Sequence, residues 1–186
     1  MNITAFSELR LVGGTALALQ IGHRNSVDID LFGQHQIEEH ELKTHLSVFK
    51  DVEAIGGSKS IKAFFINDIK VDIVNYPYAW LDPIVEEEGI RMASKKDIAA
   101  MKIAAITQRG SKKDFIDLFF LLKEFKLSEV LSYYRDKISD SNEWMAIRSI
   151  AYFGDADREP MPAMFKDTSW QEIKENISEE VRRYTK

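Results

Sequence analysis

Apolar and polar positions along this chain follow two different periods. In the first half the runs are short. Leu9 to Val12 reads as a short buried strand that ends at Gly13-Gly14, Val27 to Phe32 sets Ile29 and Leu31 against Asp28 and Asp30, and Ser60 to Ile66 and Ile69 to Val74 flank Asn67-Asp68. Runs of that length with alternating polarity predict strands, and Asn67-Asp68 suits a tight hairpin turn between two of them. Gly56-Gly57-Ser58-Lys59 resembles a phosphate loop, but its place between Val52 to Ile55 and Ile61 to Ile66 predicts another hairpin. Thr15 to Ile21 reads as the opening of a helix, and the mixed polarity of Gln36 to Phe49 suits an exposed one. Tyr76-Pro77-Tyr78 closes the last strand, and Asp82-Pro83 begins a connector.

The second half has the helical period. Ser94-Lys-Lys-Asp97 forms a capping box for a helix through Gln108, with Ile98, Met101 and Ala105 as its apolar stripe. After the Arg109-Gly110 break a second helix leads into Leu118-Phe-Phe-Leu-Leu, a core segment. Trp144, Ile147, Ile150 and Tyr152-Phe153 suggest another packed helix, Pro160 and Pro162 mark a loop, and Ser169-Trp-Gln-Glu172 caps a polar final helix. The expected fold class is α+β (α/β): a small mixed sheet with flanking helices over residues 1–92, packed on a helical half over 93–186, with a cleft between them. No repeat, low-complexity segment or linker separates the two.

Candidate chemistry concentrates near the start. A buried strand followed by Gly13-Gly14-Thr15 and a helix presents free amide groups and a positive dipole end, which together cradle phosphate. Asp28 and Asp30 lie two apart on the next strand and so share a face, and two like charges that close call for a cation between them. Phosphate cradle and metal-binding carboxylates are the parts that transfer of a nucleotide needs. The familiar alternatives are absent: the chain has no G-x-x-x-x-G-K-[ST], and Gly13-Gly14 lacks the third glycine of a dinucleotide fingerprint.

Composition narrows the setting. The chain has 186 residues, no cysteine and a net charge of −5, so disulfides and thiolate metal sites are excluded and indiscriminate nucleic-acid binding is disfavoured. The absence of any run of about 18 apolar residues, and of a basic and apolar leader, points to a soluble, cytoplasmic protein with no membrane partner. Lys95, Lys96, Lys102, Arg109, Lys112 and Lys113 face only Asp97 in their stretch. They form either a solvated helix face or a basic surface for triphosphate or RNA.

The run from Leu11 to Phe32 resembles the signature of the AbiEii/AbiGii toxin-type nucleotidyltransferases, within the DNA polymerase beta-like nucleotidyltransferase superfamily. The likeness continues through Lys102, Arg109 to Leu118 and, more loosely, Tyr152 to Asp157. The chain departs from that pattern at its start, where many members carry a further helical segment. The resemblance implies a metal-dependent nucleotidyltransferase core in which Asp28, Asp30 and Asp72 bind one or two Mg2+ ions and Gly13, Gly14 and Thr15 bind phosphate. Taken alone, Asp72 is a lone strand carboxylate that reads as solvated. Lys102, which by its position beside the stripe either snorkels or serves, is implied to neutralise the nucleotide phosphates while folding proceeds without it. Lys113 adds charge. Arg24 is either a phosphate contact or, like His23, part of the packing of the turn. Asp114 and Asp117 sit where acidic residues favour a helix start; Asp114 could also orient Lys102 or Lys113, with a lesser site role for Asp117. The implied substrate is a nucleoside triphosphate, the implied acceptor an RNA such as a tRNA 3′ end, and the implied partner a cognate antitoxin. A small-molecule or protein hydroxyl acceptor, and a nucleotide-binding module without turnover, are the alternatives.

Overall fold

The computed structural model describes residues 6–35, 37 and 39–186. The expected helix start at Gln36, like residues 1–5 and 38, lies outside the described residues. One mixed sheet contains β1 (Arg10–Leu11), β2 (Ile29–Gly33), β3 (Val52–Gly57), β4 (Ile61–Ile66), β5 (Ile69–Asn75), β6 (Val85–Glu87) and β7 (Ile90–Met92). The helices are α1 (Gly13–Ile21), α2 (Glu39–Leu46), α3 (Lys95–Gln108), α4 (Lys112–Leu121), α5 (Leu127–Lys137), α6 (Glu143–Ile150) and α7 (Trp170–Tyr184). Strand order is β3-β4-β5-β2-β1-β7-β6, with β2 parallel to β5, β1 parallel to β7, and the remaining neighbours antiparallel.

The centre of the sheet explains the alternating pattern. Ile29 pairs with Val71 and Leu31 with Ile73, so four apolar side chains leave one face together, and Leu31, Val71 and Ile73 are buried there. Their intervening neighbours, Asp30 with Asp72 and Phe32 with Val74, necessarily leave the other face. A slip by one residue would drive both carboxylates into the core. Asn67 and Asp68 both adopt positive φ, 49° and 64°, as a tight hairpin turn requires.

Several elements differ from the sequence pattern. Strand β2 begins at Ile29 and not at Val27, because the Asp28 carbonyl accepts the Thr15 hydroxyl and the β5 ladder starts only at Val71. Helix α2 stops at Leu46, where Ser47 turns back to bond the Thr44 carbonyl through both its amide and its hydroxyl. The connector after Asp82 contains the β6–β7 hairpin, turned by Glu88 and Gly89 at positive φ. Helix α5 is an addition to the expected set, with Leu127, Val130, Leu131 and Tyr134 buried along one face. Trp144 stands out into solvent at 63% exposure, while Ala146 and Ile150 carry the packing of α6. Helix α4 is the apolar heart of the helical half. Phe115, Ile116, Leu118 and Phe119 are all buried, each contributing roughly 1.5–3 kcal/mol of transfer free energy.

Candidate active site

Asp30 and Asp72 stand next to each other across the β2–β5 ladder and, with Gly13, Lys102 and Arg109, line one end of a cavity of about 600 Å³ between the sheet and α3. Gly13 is required there for two reasons. Its φ of +68° is left-handed, and a Cβ would stand 2.8 Å from Asp30 Oδ2. Burial and the neighbouring Asp72 push the Asp30 carboxyl above the usual carboxylate range, while Lys70 and Lys102 pull it back. One oxygen of Asp72 accepts the Lys70 ammonium, and the other, Oδ1, is buried with no hydrogen-bond partner among the described residues.

The three carboxylates of the sequence reading are not gathered. Among the described residues no group of three or more His, Asp or Glu side chains could hold a metal ion. Asp28 is exposed in the loop ahead of β2, because Thr15 fastens its carbonyl to the start of α1. That bond and the approach of Ser26 Oγ, 3.0 Å away, engage the Thr15 hydroxyl in holding the loop. Asp30 and Asp72 do lie side by side, and one oxygen of Asp72 is buried without a hydrogen-bond partner. Both carboxylates supply oxygen donors, the ligand type that a hard divalent cation takes.

Behind the glycine turn lies a buried ion network. Arg24 forks onto Asp117, Nε at 2.7 Å and Nη2 at 2.9 Å, and donates its remaining nitrogen to the Asn25 carbonyl. At 2% exposure it faces the interior and not the cleft, which corrects its reading as a phosphate contact. Gly14 exists to admit this guanidinium, since a Cβ would lie 2.2 Å from Arg24 Nη2. Asp117 also receives Lys102 at 2.6 Å, and His23 Nε2 lies 2.7 Å from it. Asp117 is the fully buried hub of the network and meets the cavity only through Lys102, in keeping with a secondary place in the site.

Lys102 is held between Asp117 and Asp114, the latter at 3.0 Å, so Asp114 orients it as the sequence suggested. Arg109 and Ser111 complete the Asp114 shell. Burial opposes ionisation of both carboxyls. Lys102 outweighs it, with Arg24 and His23 at Asp117 and Arg109 at Asp114, and both stay below the usual range. In turn those carboxylates raise the Lys102 ammonium against its own burial. Three cations meet two carboxylates here, leaving one positive charge in surplus. Of the three, Arg109 is the accessible one, 67% exposed at the cavity rim.

The basic run is thus mostly neutralised. Lys95 pairs with Glu124, Lys96 with Asp82, and Lys112 donates to the Glu159 carbonyl. Lys113 is exposed on the first turn of α4, outside the cavity lining. The sequence reading missed Lys70, whose position two before Asp72 on a strand was its only signal.

A family model for the nucleotidyl transferase AbiEii toxin of type IV toxin–antitoxin systems matches residues 2–184. Uncharacterized protein aq_aa25 of Aquifex aeolicus is 32% identical over 96% of this chain and 88% of its own. Among solved structures, JHP933 from Helicobacter pylori superposes with a TM-score of 0.63 at 19% identity, covering 96% of this chain and 84% of that one. The nucleotidyltransferase toxin MenT4 from Mycobacterium tuberculosis gives 0.59 at 11% identity, covering 96% and 75%. The chain belongs to the AbiEii nucleotidyltransferase toxin family, and its fold is a nucleotidyltransferase fold. No helix among the described residues is long and apolar enough to cross a membrane.

Proposed function

We propose that the cleft transfers a nucleoside monophosphate from a nucleoside triphosphate to a hydroxyl acceptor. The observation that carries this reading is the facing pair Asp30 and Asp72 beside the Gly13 turn, with its buried, unpartnered oxygen. Asp30 and Asp72 would hold one or two Mg2+ ions, with Asp28, exposed on the loop ahead of β2, as the third carboxylate that the family resemblance implies. When bound, such an ion orients the triphosphate and lowers the pKa of the acceptor hydroxyl.

The chain's own groups perform the remaining tasks. Backbone N–H groups from Gly13 to Thr15 bind phosphate oxygens at the α1 start. Asp72 accepts the proton of the acceptor hydroxyl, whose oxygen bonds to the α-phosphorus as the bridging bond breaks and pyrophosphate leaves. Arg109 and Lys102 offset the charge on that leaving group, and Lys113 adds to the field from the surface. Asp114 and Asp117 position Lys102. On this reading residues 1–92 supply the carboxylates and 93–186 the cations.

The resemblance of the sequence to toxin nucleotidyltransferases implies RNA, at a tRNA 3′ end, as acceptor, and membership of a type IV toxin–antitoxin family supports a cognate antitoxin as partner. A second reading, a small hydroxyl compound, is favoured by the ion pairs of Lys95 with Glu124 and of Lys96 with Asp82, which interrupt the basic run. Incubation with each labelled nucleoside triphosphate, magnesium, and separate RNA, protein and metabolite fractions distinguishes them. Label at RNA 3′ ends, weakening with salt and lost in Asp30→Ala, is the expected result. Expression should slow growth and Asp30→Ala should relieve the slowing. Label confined to metabolites would support the second reading, and no transfer at all would leave a nucleotide-binding module.

A further inference from the structure

The end of the cavity away from the carboxylates has a different chemistry. Phe32 lies two residues beyond Asp30 on the same face of β2, and Tyr76 continues the face of Asp72 and Val74 past the end of β5. The Phe32 and Tyr76 rings are 5.2 Å apart by centroid, and the Tyr76 and Tyr78 rings 5.1 Å. Tyr78 is half-buried against the cavity, so part of its ring is free to meet a ligand. Helix α3 lines the same cavity with the small Ala104 and Ala105 between Met101 and Gln108.

Two residues of strand separate the carboxylates from the first ring by about 7 Å, roughly the span of a ribose. A nucleotide whose phosphates lie at Asp30 and Asp72 therefore brings its base to the aromatic wall. Resting on the nucleotidyl-transfer reading above, we propose that Phe32, Tyr76 and Tyr78 form the nucleobase slot, with Tyr78 as its principal stacking face. Recognition by ring faces is tolerant of sequence, because every base has a π-face. The slot therefore binds all four bases, with affinity following stacking strength and purines held more tightly than pyrimidines.

Calorimetry with α,β-methylene nucleoside triphosphates, which resist transfer, and with inorganic tripolyphosphate, all with magnesium, tests the assignment. Wild type should bind the four nucleotides more tightly than tripolyphosphate. Tyr78→Ala should weaken nucleotide binding about 5- to 150-fold, the equivalent of one lost stacking contact, and leave tripolyphosphate unaffected. Tyr78→Phe should retain binding within about twofold. Equal affinity of wild type for tripolyphosphate and nucleotides would overturn the slot, as would equal losses for both in Tyr78→Ala or no loss. Those results leave nucleotidyl transfer intact, whereas wild type that binds neither ligand overturns both proposals. If Tyr78→Ala melts below the assay temperature, Tyr78→Leu and the wild-type comparison decide the matter.

Discussion

At the scale of single residues, the half-buried Asp30 and the buried Lys102 are both charges beside the cleft, yet their removal should act with opposite sign. Asp30 is crowded by burial and by Asp72, so its folded carboxyl binds a proton more readily than the unfolded one. In the metal-free protein its contribution to stability is accordingly lost as pH rises from the unfolded value through the raised folded value. Asp30→Asn should raise the metal-free melting temperature at neutral pH by about 2–4 °C, the shift that roughly 1 kcal/mol produces in a chain of this size. The same variant should lose both transfer and stabilisation by magnesium. Lys102 instead separates two carboxylates that burial alone would not tolerate ionised. Its replacement by Ala should cost about 3 kcal/mol, in contrast to the sequence expectation that folding proceeds without it. Thermal melts of the two variants with and without magnesium check both signs, and a destabilised Asp30→Asn would show that the carboxylate pair is not strained.

At the scale of elements, the turn into α1 couples the cleft to the buried network. Gly13 shapes the cleft side and Gly14 the network side, so equal substitutions should fail for different reasons. Gly14→Ala forces its Cβ onto an Arg24 that is locked to Asp117, an overpacking expected to cost about 1–3 kcal/mol. In an Arg24→Ala background the penalty should largely disappear, and a urea double-mutant cycle measures that coupling. Additive losses would mean that Gly14 serves something other than Arg24. The glycine turn and the alternation of Ile29, Asp30 and Leu31 were legible in the sequence because they express local rules, a sharp turn and period two, whereas Asp28 falls outside the strand. Distant partners were less so. Nothing near Gly14 in sequence announces that Arg24 will fold beneath it onto Asp117, and of the two partners of Lys102 the sequence offered Asp114 but not Asp117. Helix α5 carried a readable signal in the spacing of Leu127, Val130, Leu131 and Tyr134, as did the β6–β7 turn in Glu88-Gly89.

At the scale of the molecule, the network ties the turn after α1 to α3 and α4 and so fastens the carboxylate-bearing sheet to the helical half. The segment before α7 reinforces that joint. The Asn25 amide donates to the Ala163 carbonyl, and the Phe165 and Lys166 amides donate to the His23 carbonyl. Global stability should therefore follow the ionisation of Asp114 and Asp117. Both folded carboxyls are depressed, so the stability they contribute is complete above the unfolded aspartate value of about 3.9 and is lost as pH falls through the folded values. Asp30 acts with the opposite sign, its contribution falling as pH rises from its unfolded value through the raised folded one. Urea unfolding from about pH 3 to pH 8 should show a steep fall below about pH 4. In Asp117→Asn the neutral-pH stability should drop while the acid slope flattens, because the proton uptake that drives the slope has been removed. In Asp30→Asn the acid slope should persist and the decline toward neutral pH should lessen. An Asp117→Asn protein with the wild-type acid slope would show that other carboxylates hold the two halves together.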